Sequence, residues 1–158
     1  MVLSETEKYN AIRFKTDLNN DGSNWLMSNI KLAIGAPDTR NKLMTEGKFS
    51  TTGILFDVNS SNIKAESYGT LKQIAQVLMD NADVKIKIIG HTDSDGDDAA
   101  NLSLSKQRAD AVKSSLAKEF SIDESRMQTD GKGESQPAVS NNSPEGKAQN
   151  RRVEFIKL

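Results

Sequence analysis

From Gly53 onward the spacing of apolar residues switches repeatedly between period two and period 3.6, and few folds accommodate that alternation. "GILFDV" is a short apolar run suited to a buried strand. "AESYGTLKQIAQVLMDN" places Tyr68, Leu71, Ile74, Ala75 and Leu78 on one helical face. "DVKIKIIG" alternates Val84, Ile86 and Ile88 with lysines and ends as a strand at Gly90. "LSKQRADAVKSSLAKEF" sets Leu104, Val112, Leu116 and Phe120 along a second helix, which begins near Ser103 in this reading. "RMQTDG" suits a third strand and "RRVEFIKL" a last one. Between them, "GKGESQPAVSNNSPEGKAQN" reads as a long irregular loop, of the kind that is functional or flexible in compact domains. The order β-α-β-α-β-β predicts an α/β (α+β) sandwich, with helices on one face of a mixed sheet.

Residues 1–48 differ in texture. Ile12, Phe14, Thr16 and Leu18 alternate with polar residues, as do Ile30, Leu32 and Ile34, on either side of "NNDGSN". That pattern predicts a β-hairpin. Two strands alone are marginal in water. The hairpin is therefore expected to pack on the rest of the chain or to be the remnant of an upstream β-rich region, with "GAPDTRNKLMTEGKF" as the connection. The expected division is a hairpin segment plus linker over 1–48 and the sandwich over 49–158.

A length of 158 residues suits one ordinary domain, or one domain plus a small attachment. The net charge of −1 points to neither nucleic-acid binding nor attraction to an anionic membrane. The absence of cysteine excludes disulfides, thiolate metal sites and a cysteine nucleophile. No apolar run approaches the roughly 18 residues of a membrane span. "MVLSETEKYN" lacks the basic start and apolar core of a signal peptide, so an exported protein would carry this chain in processed or excised form.

Two acids end strands at matching places, Asp57 in "LFDVNSSN" and Asp93 in "IIGHTD". Right-handed crossovers make those strands parallel and open both loops at one sheet edge, where ligands of open sheets bind. Helix N-termini are expected there too, with Asn62 and Asn101 or Ser103 as caps. Arg108 follows Asp93 by 15 residues. A carboxylate and a guanidinium side by side suit a zwitterion such as an amino acid with a free α-centre. An ordinary ion pair closing a loop suits the same residues equally well.

Metal binding and catalysis are the competing readings. "DLNNDG" matches the first half of a calcium loop, yet the position of its bidentate Glu is Ser28. The acids Asp93, Asp95, Asp97 and Asp98 are not spaced as ligands of that loop, because Gly96 comes one residue early. His91, the one histidine of the chain, has no His or Cys partner for zinc and is expected to hydrogen-bond and pack at a strand end. No nucleophile–base pair or carboxylate pair in an apolar pocket is evident, so no enzyme activity and no cofactor are expected.

"GILFDVNSSNI", "IIGHTDSDGDDAANLSLSKQRADAV" and "GKGESQP…SPEGKAQNRRVEF" together resemble the OmpA-like C-terminal domain, over roughly residues 50–158. The wording is most similar to Bacteroidetes-type members, in which a β-rich region often precedes this domain. The resemblance implies noncovalent binding of peptidoglycan through the diaminopimelate residue of its stem peptide, tethering the outer membrane or an envelope assembly to the cell wall. It places the chain at the periplasmic face of the bacterial outer membrane, with outer-membrane components reached through upstream regions. By its motifs, Asp93 and Arg108 would grip the diaminopimelate ammonium and carboxylate. Thr92 and Asn101 would line the pocket, Asp57 and Asn59 would supply the first-strand loop with its backbone donors, and Arg151 would stand at the rim. Arg152, pointing the other way on a strand, would be structural. The alternative is a calcium-stabilised structural or adhesion module using the Asp17–Asp21 turn and the Asp93–Asp98 loop.

Overall fold

The structure, a computed structural model, describes residues 39–158. The expected hairpin and the Asp17–Asp21 turn lie outside the described residues. The elements run α1 (Thr39–Thr45), β1 (Lys48–Thr51), α2 (Tyr68–Asp80), β2 (Ile86–His91), α3 (Asp98–Phe120), β3 (Met127–Gly133), α4 (Pro144–Asn150) and β4 (Val153–Lys157). The sheet order is β1-β4-β2-β3. β4 pairs antiparallel with both β1 and β2, and β2 pairs parallel with β3. The chain is thus an α+β fold on a mixed sheet, as its periodicities predict. β1 and β2 run in the same direction, because each opposes β4, so the loops that follow them open at one edge.

Alternation along the strands sends Phe49, Ile86, Ile88, Met127, Val153 and Phe155 into a core shared with Leu71, Ile74 and Leu78 of α2 and Ala109, Val112 and Leu116 of α3. The α2 stripe differs from expectation at one end. Tyr68 is half exposed and meets the Phe120 ring, with 5.4 Å between centroids, while Val77 is buried. α3 lies unusually close to β2 and β3. A side chain at Gly90 would strike the backbone carbonyl of Ser105, and one at Gly131 would strike Ser105 Oγ and the Lys106 amide.

Several boundaries move. The edge strand is Lys48–Thr51, not "GILFDV". Past Thr51, whose partner is Val153, the chain bends away from β4, and beyond the bend Phe56 bridges only to Ile63. Leu43 of α1, in the segment read as a connection, is fully buried in the core. The segment read as an irregular loop contains α4, started by Ser143, whose Oγ accepts from the Gly146 amide, and by Pro144. α3 begins at Asp98 rather than near Ser103, because Asp97 caps it by accepting from the amides of Ala99 and Ala100. Asn101 is consequently inside the helix, Ser103 is not a cap, and Asn62 caps nothing, since the chain enters α2 through a 3-10 turn at Ala65–Ser67 with no side-chain cap.

Candidate ligand-binding cleft

Asp57, Asn59, Thr92, Asp93, Asn101, Arg108 and Arg151 line one cleft of about 430 Å³ at the sheet edge where β1 and β2 end. Asp93 sits at its base, 8% exposed. Its Oδ1 accepts from the Asp95 amide and its Oδ2 from Arg151 Nη1 at 2.5 Å. The carboxylate is therefore paired across the cleft with Arg151, not with Arg108. Thr92 is held by its amide, which donates to Gly133 O, while its buried Oγ1 has no partner.

Arg108 projects from about three turns into α3, deeper than a start at Ser103 implies. Its Nε donates to Ser60 O, and its guanidinium lies over the Phe56 ring, 4.9 Å from the centroid. No carboxylate among the described residues forms an ion pair with it. Burial pulls its pKa below the ordinary arginine value; Asp93 opposes that shift and Arg151 adds to it. An arginine remains charged even so. The cleft thus holds a half-buried cation with no anionic partner beside an acid held by a second cation.

The other acids of the loop have local work. Asp97 caps α3, and Asp95 takes Lys147 Nζ at 2.7 Å. Asn101 is buried and donates to Asp95 O and to Glu134 Oε2, at 3.1 and 2.6 Å, so it fixes the loop as well as lining the cleft. No group of three or more His, Asp or Glu among the described residues is arranged to hold a metal ion. The α3 N-terminus does not serve as an open anion site, because Asp97 already occupies its first free amides. The Asp57 amide donates to Asn62 O within its own loop.

His91 is buried at the end of β2, but neither ring nitrogen hydrogen-bonds, contrary to expectation. Its Nε2 lies 3.6 Å from Glu154 Oε1, whose carboxylate is taken by Arg152. Arg152, just before β4, is buried and also donates to Gln136 O. Sequence reasoning missed Phe56, Glu134 and Lys147. Lys147 was findable: it precedes Arg151 by one helical turn, so the two reach Asp95 and Asp93 together, a relation hidden once α4 is read as loop.

Residues 55–151 match the OmpA family, a span that includes every residue named for the cleft. The chain is 44% identical over 102 residues to the probable lipoprotein YiaD of Escherichia coli, a match covering 65% of this chain and 46% of that protein. It is 40% identical over 101 residues to outer membrane porin F of Pseudomonas aeruginosa, covering 64% of this chain and 29% of the porin. The chain therefore spans less than half the length of these two relatives. Among solved structures, the peptidoglycan-associated lipoprotein from Burkholderia pseudomallei aligns with a TM-score of 0.61 at 28% identity, covering 69% of this chain and 89% of that one. With the mixed sheet, the cleft at its edge and the match across most of both, the chain belongs to the OmpA family and carries an OmpA-like C-terminal domain.

Proposed function

We propose that this domain binds peptidoglycan noncovalently through the diaminopimelate residue of the stem peptide and so tethers an envelope assembly to the cell wall, from the periplasmic face of the outer membrane. The observation that carries the reading is the charge arrangement of the cleft: Asp93 paired with Arg151, and Arg108 beside them with no carboxylate partner among the described residues. The free end of diaminopimelate has an ammonium and a carboxylate on one carbon. The ammonium replaces Arg151 at Asp93, and the carboxylate accepts from Arg108. A bare ammonium, as on a lysine side chain, would leave two guanidiniums facing each other without an anion. The family match and the likeness to a peptidoglycan-associated lipoprotein support this reading.

Titration with a diaminopimelate-containing stem peptide, against its lysine-containing counterpart, tests it. We expect the former to bind tighter by more than tenfold, about 1.4 kcal/mol. Equal affinities would overturn the diaminopimelate assignment. Failure of the domain to sediment with purified wall would overturn the wall-binding reading itself.

A further inference from the structure

A further cavity, of about 390 Å³, adjoins the cleft on the α4 side and shares Asp95 and Arg151 with it. Its remaining polar lining comes from Asn141, Asn142, Ser143 and Lys147. The turn that forms this wall is held from within. Asn150 of α4 is fully buried; its Oδ1 accepts from the amides of Ala138 and Val139, and its Nδ2 donates to Val139 O and Asn141 Oδ1. Gly146 lets α4 close on the turn, since a side chain there would strike the Ser140 carbonyl. A satisfied buried network of this kind rigidifies what it holds. The turn therefore presents its polar groups in a fixed arrangement, with Asn142 exposed at the cavity.

Charge decides what this cavity suits. Two cations and one acid line it. Lys147 Nζ meets Asp95 Oδ1 at 2.7 Å, so those two charges cancel. An ammonium has three donors, and Lys147 keeps donors for a second acceptor. Arg151 is half exposed and is committed to Asp93. Once a ligand ammonium takes Asp93, Arg151 is left as a cation without an acid at the boundary of the two cavities. The α4 side then carries one positive charge in excess.

We propose that this cavity receives the α-carboxylate of the stem-peptide residue next to diaminopimelate, held by Lys147 and the released Arg151. The inference rests on the wall-binding reading. In a stem peptide that neighbour is a glutamate joined through its side-chain carboxyl, which leaves its α-carboxyl either free or converted to an amide. A short methylene chain separates the end of diaminopimelate held in the cleft from the end that carries this glutamate, so the glutamate falls in the adjoining space. Lys147 is thus a specificity-determining residue, and the site favours stem peptides whose glutamate is not amidated.

Two diaminopimelate-containing stem peptides test this, identical except that the glutamate α-carboxyl is free in one and amidated in the other. Both carry an amidated C-terminus, so this carboxyl is the one anion that varies. Calorimetric titration is expected to show the free form binding roughly fivefold tighter, the scale of a partly exposed ion pair. The gap should narrow as salt is raised. Lys147→Gln is expected to bring the two affinities together. Equal affinities in the parent, tighter binding of the amidated form, or an undiminished preference in Lys147→Gln would overturn the subsite and leave the wall-binding reading standing. Binding of neither peptide would overturn both.

Discussion

Arg151 donates from Nη1 to Asp93 Oδ2 at 2.5 Å across 58 residues of sequence, and this contact joins the end of α4 to the loop after β2. The carboxylate at the base of the cleft is therefore already satisfied by an internal cation. Under the proposed function, the ligand's ammonium replaces Arg151 at Asp93 while its carboxylate accepts from Arg108.

Asp93→Ala and Arg108→Ala are each expected to lose wall sedimentation while retaining the native circular dichroism spectrum. Removing one partner of a desolvated charged contact costs roughly 2–5 kcal/mol. Arg108→Lys should also bind weakly, because an ammonium cannot offer a two-pronged grip to a carboxylate. Sedimentation of all three at the level of the parent would place the site elsewhere.

Gly90→Ala tests the seating of α3. The added methyl meets the Ser105 backbone carbonyl, which cannot swing aside as a flexible side chain can. Overpacking of this kind costs about 1–3 kcal/mol, and more where backbone must shift. Thermal melting should show a clear loss of stability, and wall binding should fall with it, because the same helix carries Asn101 and Arg108. A melting temperature within a degree of the parent would contradict the close packing.

Leu43→Ala tests whether the folded unit starts upstream of residue 49. Leu43, on α1, is fully buried. Truncating a buried leucine costs about 2–5 kcal/mol. Urea denaturation of the variant should show that loss, and a change under 1 kcal/mol would mean that α1 contributes little to the core.

The pH dependence of stability should fall into two windows. Burial, with help from Arg152 and Lys132 and against Glu154, pushes the His91 imidazole from 6.5 down to about 4. Between those values the unfolded chain takes up a proton that the folded protein refuses. Stability therefore falls as pH drops from 6.5 to 4, by up to about 1.4 kcal/mol per pH unit. Asp130 is held down to about 2, chiefly by its bond with Lys87, so its contribution is present above 3.8 and is lost only as pH falls toward 2. Melts of His91→Gln should lose the upper window and keep the lower one. Retention of both would remove His91 as the cause.

What the sequence by itself determined was the kind and order of the elements. Periodicity is a local property, and the stripes of α2 and β2 need no knowledge of their neighbours. The loop motif likewise singled out Asp93 and Arg108. Tertiary structure decided what those charges face. An ion pair forms by distance in space, so nothing local to Asp93 could show that Arg151 holds it, or that Arg108 lies instead on Phe56 with no carboxylate partner among the described residues. The helix start at Asp98 depended on which of several candidate side chains found the free amides; Asp97 reached them, and Asn101 turned inward to Glu134. α1, α4 and the edge strand at Lys48 were misread for the same reason. Each is seven residues or fewer. Elements so short owe their stability to the sheet and core they pack against, not to any signal of their own.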